Sequence, residues 1–233
     1  MPADLWAPTP NVPVSGSLLW VYEGQTEFWG RVLAARSGQF TPAELRDRLA
    51  IEAAEIAARP GRAWRPLSDD VNYPAFMLRQ RVPWRDWLDG HDELDTTSGL
   101  TRHGWRLVTE QPTAAFRAHE AEEGVADLTY SIGLSVAANG AVRAVAWDGP
   151  AFRAEIRPGV RIVAVNGAPF STEALLDAVR GSRARPLELT VEDEDRRTER
   201  TVAYAGPPRY PRLERIAGRP DTLTALLAPR PAD

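Results

Sequence analysis

Tyr130-Ser131-Ile132-Gly133-Leu134-Ser135-Val136-Ala137-Ala138-Asn139-Gly140-Ala141-Val142-Arg143-Ala144-Val145-Ala146-Trp147 reads as two strands about a tight turn. Residues 130–136 and 142–147 are short apolar-rich runs, and Asn139-Gly140 between them tolerates the positive φ that a hairpin needs. Further strands are expected on the amino-terminal side at 105–109 and 114–118. On the other side a short helix opens near Ala151, and 161–165 is a strand that ends at Asn166-Gly167. Ser171 then caps a helix through Arg180 that Gly181 terminates. Residues 187–192 and 198–204 close the set as a second hairpin. Several short strands with two helices predict a small, partly open β-barrel over residues 124–206. From Pro207 the chain is rich in proline and arginine, and residues 207–233 are expected to dock loosely as a tail.

Residues 89–102 are polar, with Asp92, Glu93, Asp95, Thr96, Thr97, Ser98 and Gly99 together, which marks a domain boundary. Residues 91–123 are therefore a linker with lead-in strands. Residues 1–90 follow a helical pattern instead. A proline-rich arm (Pro2, Pro8, Pro10, Pro13) leads into a helix over about 18–36. Thr41-Pro42-Ala43-Glu44 is a capping box with proline at the first helical position. It starts a second helix to about Arg59, with Leu45, Leu49, Ala53 and Ile56 as its apolar stripe. The two helices form an antiparallel hairpin. Over 62–90 the periodicity is lost, and Trp64, Tyr73, Phe76, Trp84 and Trp87 are expected to pack around it. The fold class is α+β.

The first helix carries Leu18-Leu19-Trp20-Val21-Tyr22-Glu23-Gly24-Gln25-Thr26-Glu27-Phe28-Trp29. Leu18, Tyr22, Trp29 and Leu33 fall on one side, and Val21, Phe28, Val32 and Ala35 on another. Such a helix is expected to be covered nearly all round. A buried Glu23 must then find a partner or take up a proton. Two readings stay open: an ion pair or backbone amides in the first helical turn, or a metal ligand.

Composition narrows the function. In 233 residues, 43% hydrophobic and 26% charged are ordinary for a globular chain. A net charge of −4 gives no electrostatic case for nucleic acid or an anionic membrane. There is no cysteine, which excludes disulfides, thiolate catalysis and cysteine-type zinc sites. No run is long enough to span a bilayer, and the start lacks the pattern of a signal peptide. As written, the chain is expected in the cytoplasm.

Residues 126–204 resemble a PDZ domain of the bacterial, protease-associated kind. Ser131-Ile132-Gly133-Leu134 resembles its carboxylate-binding loop, and the signatures are Gly149-Pro150-Ala151-Phe152, Arg157-Pro158-Gly159 and Ile162-Val163-Ala164-Val165-Asn166-Gly167. Val160 departs from the usual aspartate. The resemblance implies a peptide C-terminus held by amides of Ser131, Ile132, Gly133 and Leu134, with the peptide added as a strand beside Leu134, Ser135 and Val136. Leu175 and Val179 would line the far groove wall.

A wider resemblance covers almost the whole chain. Leu19-Trp20-Val21-Tyr22-Glu23-Gly24-Gln25-Thr26, Ala63-Trp64-Arg65-Pro66-Leu67, Trp84-Arg85-Asp86-Trp87 and Arg209-Tyr210-Pro211-Arg212-Leu213-Glu214-Arg215 are similar to segments of glycyl-aminopeptidase-type zinc metallopeptidases. These are gluzincins with a thermolysin-like catalytic region followed by a PDZ domain. The resemblance implies that Glu23 stands at the third zinc-ligand position, and that residues 1–90 are a helical remnant of the catalytic domain.

Zinc hydrolysis of this type also needs H-E-x-x-H, two histidines one helical turn apart with a general base between them. The chain has His91, His103 and His119, and none satisfies the pattern. His119-Glu120-Ala121-Glu122-Glu123 has glutamate where the second histidine belongs, and His91-Asp92-Glu93 has no partner; both are expected to be solvated. The Pro2-Ala3-Asp4-Leu5-Trp6 start is similar to the family segment just beyond that motif, and the family's long helical stretch after the tryptophan-rich segment is missing. The expectation is a truncated relative, inactive alone and binding no zinc stably, that retains a PDZ-like module for peptide or protein C-termini. The alternative is a functional aminopeptidase whose H-E-x-x-H half lies upstream or on a partner chain; periplasmic or secreted placement would then also be open.

Overall fold

The computed structural model describes residues 19–58, 97–194 and 196–229. The proline-rich arm, the tryptophan-rich segment and His91 lie outside the described residues. The described residues fall into two compact units: residues 19–46, 52–58, 97–106 and 215–229, and residues 47–51, 107–194 and 196–214. The chain is α+β, with α1 (Leu19–Arg36), α2 (Pro42–Ala57), α3 (Ser98–Arg102), β1 (Trp105–Glu110), α4 (Ala114–Glu123), β2 (Val125–Leu128), β3 (Leu134–Ala137) and β4 (Val142–Val145). It continues with α5 (Pro150–Arg153), β5 (Arg161–Val165), β6 (Ala168–Pro169), α6 (Thr172–Arg180), β7 (Leu187–Asp193), β8 (Arg196–Val202), β9 (Tyr210–Arg215) and α7 (Thr222–Leu227).

In the first unit, α2 starts as its capping box dictates. Thr41 Oγ1 accepts the Glu44 N–H at 3.2 Å, and Glu44 Oε2 accepts the Thr41 N–H at 2.8 Å. Along α2, Leu45, Ala50, Ile51 and Ala54 are the buried apolar positions, so the inward stripe is rotated from the one expected. Arg31 of α1 and Glu52 of α2 form an ion pair. Coverage of α1 differs from expectation. Val32 and Ala35 are buried, but residues 23–30 are exposed.

The carboxy-terminal segment is an integral part of the structure rather than a loose tail. β9 pairs with β1 in a two-stranded sheet. The Trp105 indole N–H donates to Asp221 Oδ1 at 2.8 Å, and the guanidinium groups of Arg46 and Arg215 lie 4.6 and 5.4 Å from the Trp105 ring centroid. These are cation–π distances. Asp221 also caps α7, accepting the Thr224 N–H at 3.0 Å, and α7 buries Leu223 and Leu227.

In the second unit β2-β3-β4 form one sheet and β6-β5-β7-β8 another, all with antiparallel neighbours. The sheets do not close into a barrel; a single bridge, Ala141 to Arg161, joins their rims among the described residues. Gly140 has φ +84°, and a side chain there would run into the Ile162 carbonyl, which is why Asn139-Gly140 makes the turn. Leu128, Ile132, Leu134, Val136, Ile162, Leu175, Leu187 and Leu189 build the core. Val160, the departure from the PDZ pattern, is buried, and its carbonyl accepts the Val142 N–H at 2.9 Å.

Two elements differ from the sequence expectation. Residues 114–118 are helix, not strand: Thr113 Oγ1 accepts the Phe116 N–H at 3.2 Å, and Gly124 at φ +66° ends α4. The expected strand over 130–136 is divided, because 129–133 is a turn between β2 and β3.

Candidate functional site

Two candidate sites stand on separate units. The first is Glu23 on α1. Its side chain is exposed, and so are Phe28, Trp29 and Leu33 of the same helix, at 47%, 54% and 63%. Phe28 and Trp29 meet edge to face, with ring centroids 5.3 Å apart. A catalytic zinc needs three protein ligands. Among the described residues no group of three His, Asp or Glu side chains could hold a metal ion. His103 Nδ1 is 2.7 Å from Thr222 Oγ1, and the His119 ring packs against Phe116 at 6.4 Å between centroids. The described residues therefore do not fit a catalytic zinc.

The second site is the loop before β3. Gly133 has φ +76°, and a Cβ there would meet Gly149 Cα at 3.3 Å and Pro150 Cδ at 3.4 Å. Its missing side chain thus lets two backbone segments close on each other, with Ala146 N–H donating to Gly133 O at 2.8 Å and Ala151 N–H to Ile132 O at 2.8 Å. The Ser131 and Gly133 amides both donate to Leu128 O, at 3.0 and 3.1 Å. The Ser131 hydroxyl is buried and accepts the Arg209 N–H at 2.8 Å. Ile132, Leu134, Val136, Leu175 and Val179 are fully buried and Ser135 is 9% exposed. The fold therefore brings these eight residues together, but packed on one another rather than around an open groove. β3 is the middle strand of its sheet, paired with β2 on one side and β4 on the other.

The sequence reading missed what holds β2. Glu120, expected to be solvated, is 7% exposed. Its Oε1 accepts the Asp127 N–H at 2.8 Å and its Oε2 takes the Arg117 guanidinium at 2.5 Å. That guanidinium lies 4.8 Å from the Tyr210 ring centroid. Burial pushes the Tyr210 phenol up, against the opposing pull of Arg117. The signal was available in Thr113 as an N-cap, Phe116 and Glu120 four residues apart on one helical face, and Gly124 beyond them. Also missed was an open pocket of about 540 Å³ lined by Val145, Trp147, Phe152, Ile156, Arg157 and Pro158, where Trp147 is 69% exposed. No described helix is long and apolar enough to cross a membrane.

Residues 1–98 match the family model of the M61 glycyl aminopeptidases, which bears out the resemblance drawn from the sequence. Among solved structures, an aminopeptidase N family protein from Idiomarina loihiensis is similar at a TM-score of 0.62 and 13% identity. The match covers 95% of this chain and 50% of that one, so the chain spans about half the length of the structure it resembles, and the likeness is one of fold. The HtrA3 PDZ domain bound to a phage-derived ligand (FGRWV) matches at 25% identity over 49% of this chain and 88% of that one, with a TM-score of 0.26. Among curated proteins no sequence matches.

Proposed function

We propose that this chain is a relative of the PDZ-containing glycyl aminopeptidases that works by binding rather than by hydrolysis on its own. Its second unit is a module for an extended peptide or protein C-terminus. The observation that carries the reading is the geometry at β3. An extended segment lies antiparallel along Leu134–Ala137, and a carbonyl oxygen at its end is held by the Ser131 and Gly133 amides. This is the chemistry by which strand addition captures a chain end. The absence of hydrolysis follows from the three histidines, none of which belongs to an H-E-x-x-H pair. The purified chain is expected to hold no stoichiometric zinc and to turn over no aminopeptidase substrate; stoichiometric metal with turnover overturns that half. Titration of C-terminal peptides, with β2 intact and with β2 weakened, tests the binding half, and no saturable binding in either form overturns it.

A second reading has one observation in its favour. Phe28, Trp29 and Leu33 expose apolar surface on the helix that bears Glu23. In this reading Glu23 supplies a third zinc ligand to an H-E-x-x-H carried by another chain. Co-purification with such a chain, together with zinc that is lost in Glu23→Ala, is the expected outcome; zinc retained by the variant complex overturns it.

A further inference from the structure

β3 has two edges, and both are taken. On one, β2 runs antiparallel in the register Val125↔Ala137, Ala126↔Val136, Asp127↔Ser135, Leu128↔Leu134. The Asp127 N–H points away from β3, to Glu120 Oε1 at 2.8 Å. By the alternation of an antiparallel ladder, the amides of Ala126 and Leu128 therefore face β3. Ala126 and Leu128 also turn their side chains into the core, at 8% and 0% exposure. At the end of β2 the Leu128 carbonyl oxygen receives the Ser131 and Gly133 amides at 3.0 and 3.1 Å.

A peptide C-terminus captured by strand addition has these same parts. It is an extended segment antiparallel to the receiving strand, with alternate side chains inward, an apolar last residue in a pocket and a terminal oxygen held by loop amides. We infer that residues 125–128 are a built-in pseudo-ligand: β2 occupies in cis the edge of β3 that a peptide would use, and a peptide reaches it only when β2 is lifted. This rests on the peptide-binding reading above and adds the regulation of that site.

The occupant has a strong advantage. It is tethered to β3 through residues 129–133, so its effective concentration at the site far exceeds that of a free peptide. Asp127 Oδ1 accepts the Thr129 N–H at 2.9 Å and sets the turn. Outside the hairpin, the Glu120 carboxylate of α4 clamps the outer edge of β2. The same arrangement states which peptide the site would take. Leu128 and Ala126 are the inward residues, so the competitor has a free aliphatic C-terminal residue and a small residue two positions before it.

The test uses the full chain and the free hexapeptide Glu-Gly-Val-Ala-Asp-Leu, a copy of residues 123–128 with its own C-terminal carboxylate. Ala126→Pro removes a ladder donor from β2 and leaves β3 unaltered. Glu120→Gln weakens the outer clamp while keeping its shape. Binding is read by calorimetry and by amide hydrogen exchange at Val136, which faces β2 through its pair with Ala126. The expected result is no saturable binding to the wild type and binding at least about tenfold tighter in Ala126→Pro, with Val136 protection lost in the variant and restored by peptide. Wild type that binds as tightly as the variant and with Val136 as the site overturns the inference while leaving the peptide-binding reading standing. Neither form binding, with Val136 open to exchange in the variant, overturns the peptide-binding reading itself. Amides of Leu189 and Val191 in β7 report whether the rest of the unit stays folded; if Ala126→Pro loses them, Glu120→Gln carries the same comparison.

Discussion

The Glu120 carboxylate accepts the Asp127 backbone N–H at 2.8 Å, so a side chain of α4 stands in for a neighbouring strand on the outer edge of β2. An unpaired strand edge invites association, and this one is closed by a single buried acid. Glu120→Ala leaves both that amide and the Arg117 guanidinium without their acceptor. The expected loss is about 2–3 kcal/mol in urea denaturation, with Glu120→Gln losing less because the amide oxygen still accepts.

Asp221 gives the fold an acid-sensitive point. Burial opposes its ionisation, but this is outweighed by the Thr224 amide, the Trp105 indole N–H, the Thr224 hydroxyl and the Arg215 charge, which together lower it from 3.8 to about 2. A carboxyl depressed in the folded state contributes stability that is fully present above the unfolded value and lost as pH falls through the folded one. The difference between wild type and Asp221→Ala is therefore expected to be about 1–2 kcal/mol at neutral pH, a figure set by the lost helix cap and discounted for a side chain 34% exposed, and to shrink between pH 4 and pH 2. Asp221→Asn keeps the cap and flattens the pH dependence. Thermal melts across that pH range check both.

Gly133→Ala is expected to destabilise by about 1–2 kcal/mol, since φ is +76° and the new Cβ meets Gly149 and Pro150 at 3.3–3.4 Å. Chemical denaturation measures it. A loss confined to peptide affinity, with stability unchanged, would contradict the packing role assigned to this glycine.

Phe116 is fully buried, meets the Tyr210 ring edge to face at 5.1 Å between centroids, and packs with Ile51. Truncation to alanine is expected to cost about 3–5 kcal/mol, read as a drop in the urea midpoint with unchanged slope.

Glu23→Ala is expected to leave stability within about 0.5 kcal/mol of wild type, because the side chain is exposed. A large loss in thermal melts of the isolated chain would show that the carboxylate is a structural ion-pair member after all.

Much of the second unit was legible from local chemistry. Asn139-Gly140, the Ser171 cap, Gly181 and the two runs expected at 187–192 and 198–204, found as β7 (Leu187–Asp193) and β8 (Arg196–Val202), each declare their element within a few residues, because turns and caps are satisfied by nearby backbone groups. The helix α4 opens on 114–118, a run too short by itself for a helical period to show; the Thr113 cap and Gly124 are the stronger signals. The Trp105–Asp221 bond joins residues 116 positions apart, and no local pattern announces that a proline-rich tail will be held by the Trp105 indole and the Arg46 guanidinium.

The candidate site divides the same way. From the sequence alone came the α+β class, the loop Ser131-Ile132-Gly133-Leu134, the resemblance to the glycyl aminopeptidases and the lack of a histidine pair, all of which depend on residue identity at short spacing. Tertiary structure alone decided that Glu23 faces solvent, that Gly133 serves a backbone-to-backbone contact and that β2 pairs with β3 along the edge away from β4. Those outcomes depend on packing: α1 leaves residues 23–30 uncovered, and the edge of β3 away from β4 is filled by β2. β2 is held there by its hairpin pairing with β3 and by one buried carboxylate, Glu120, whose turn onto the Asp127 amide depends on how α4 packs and not on sequence spacing alone.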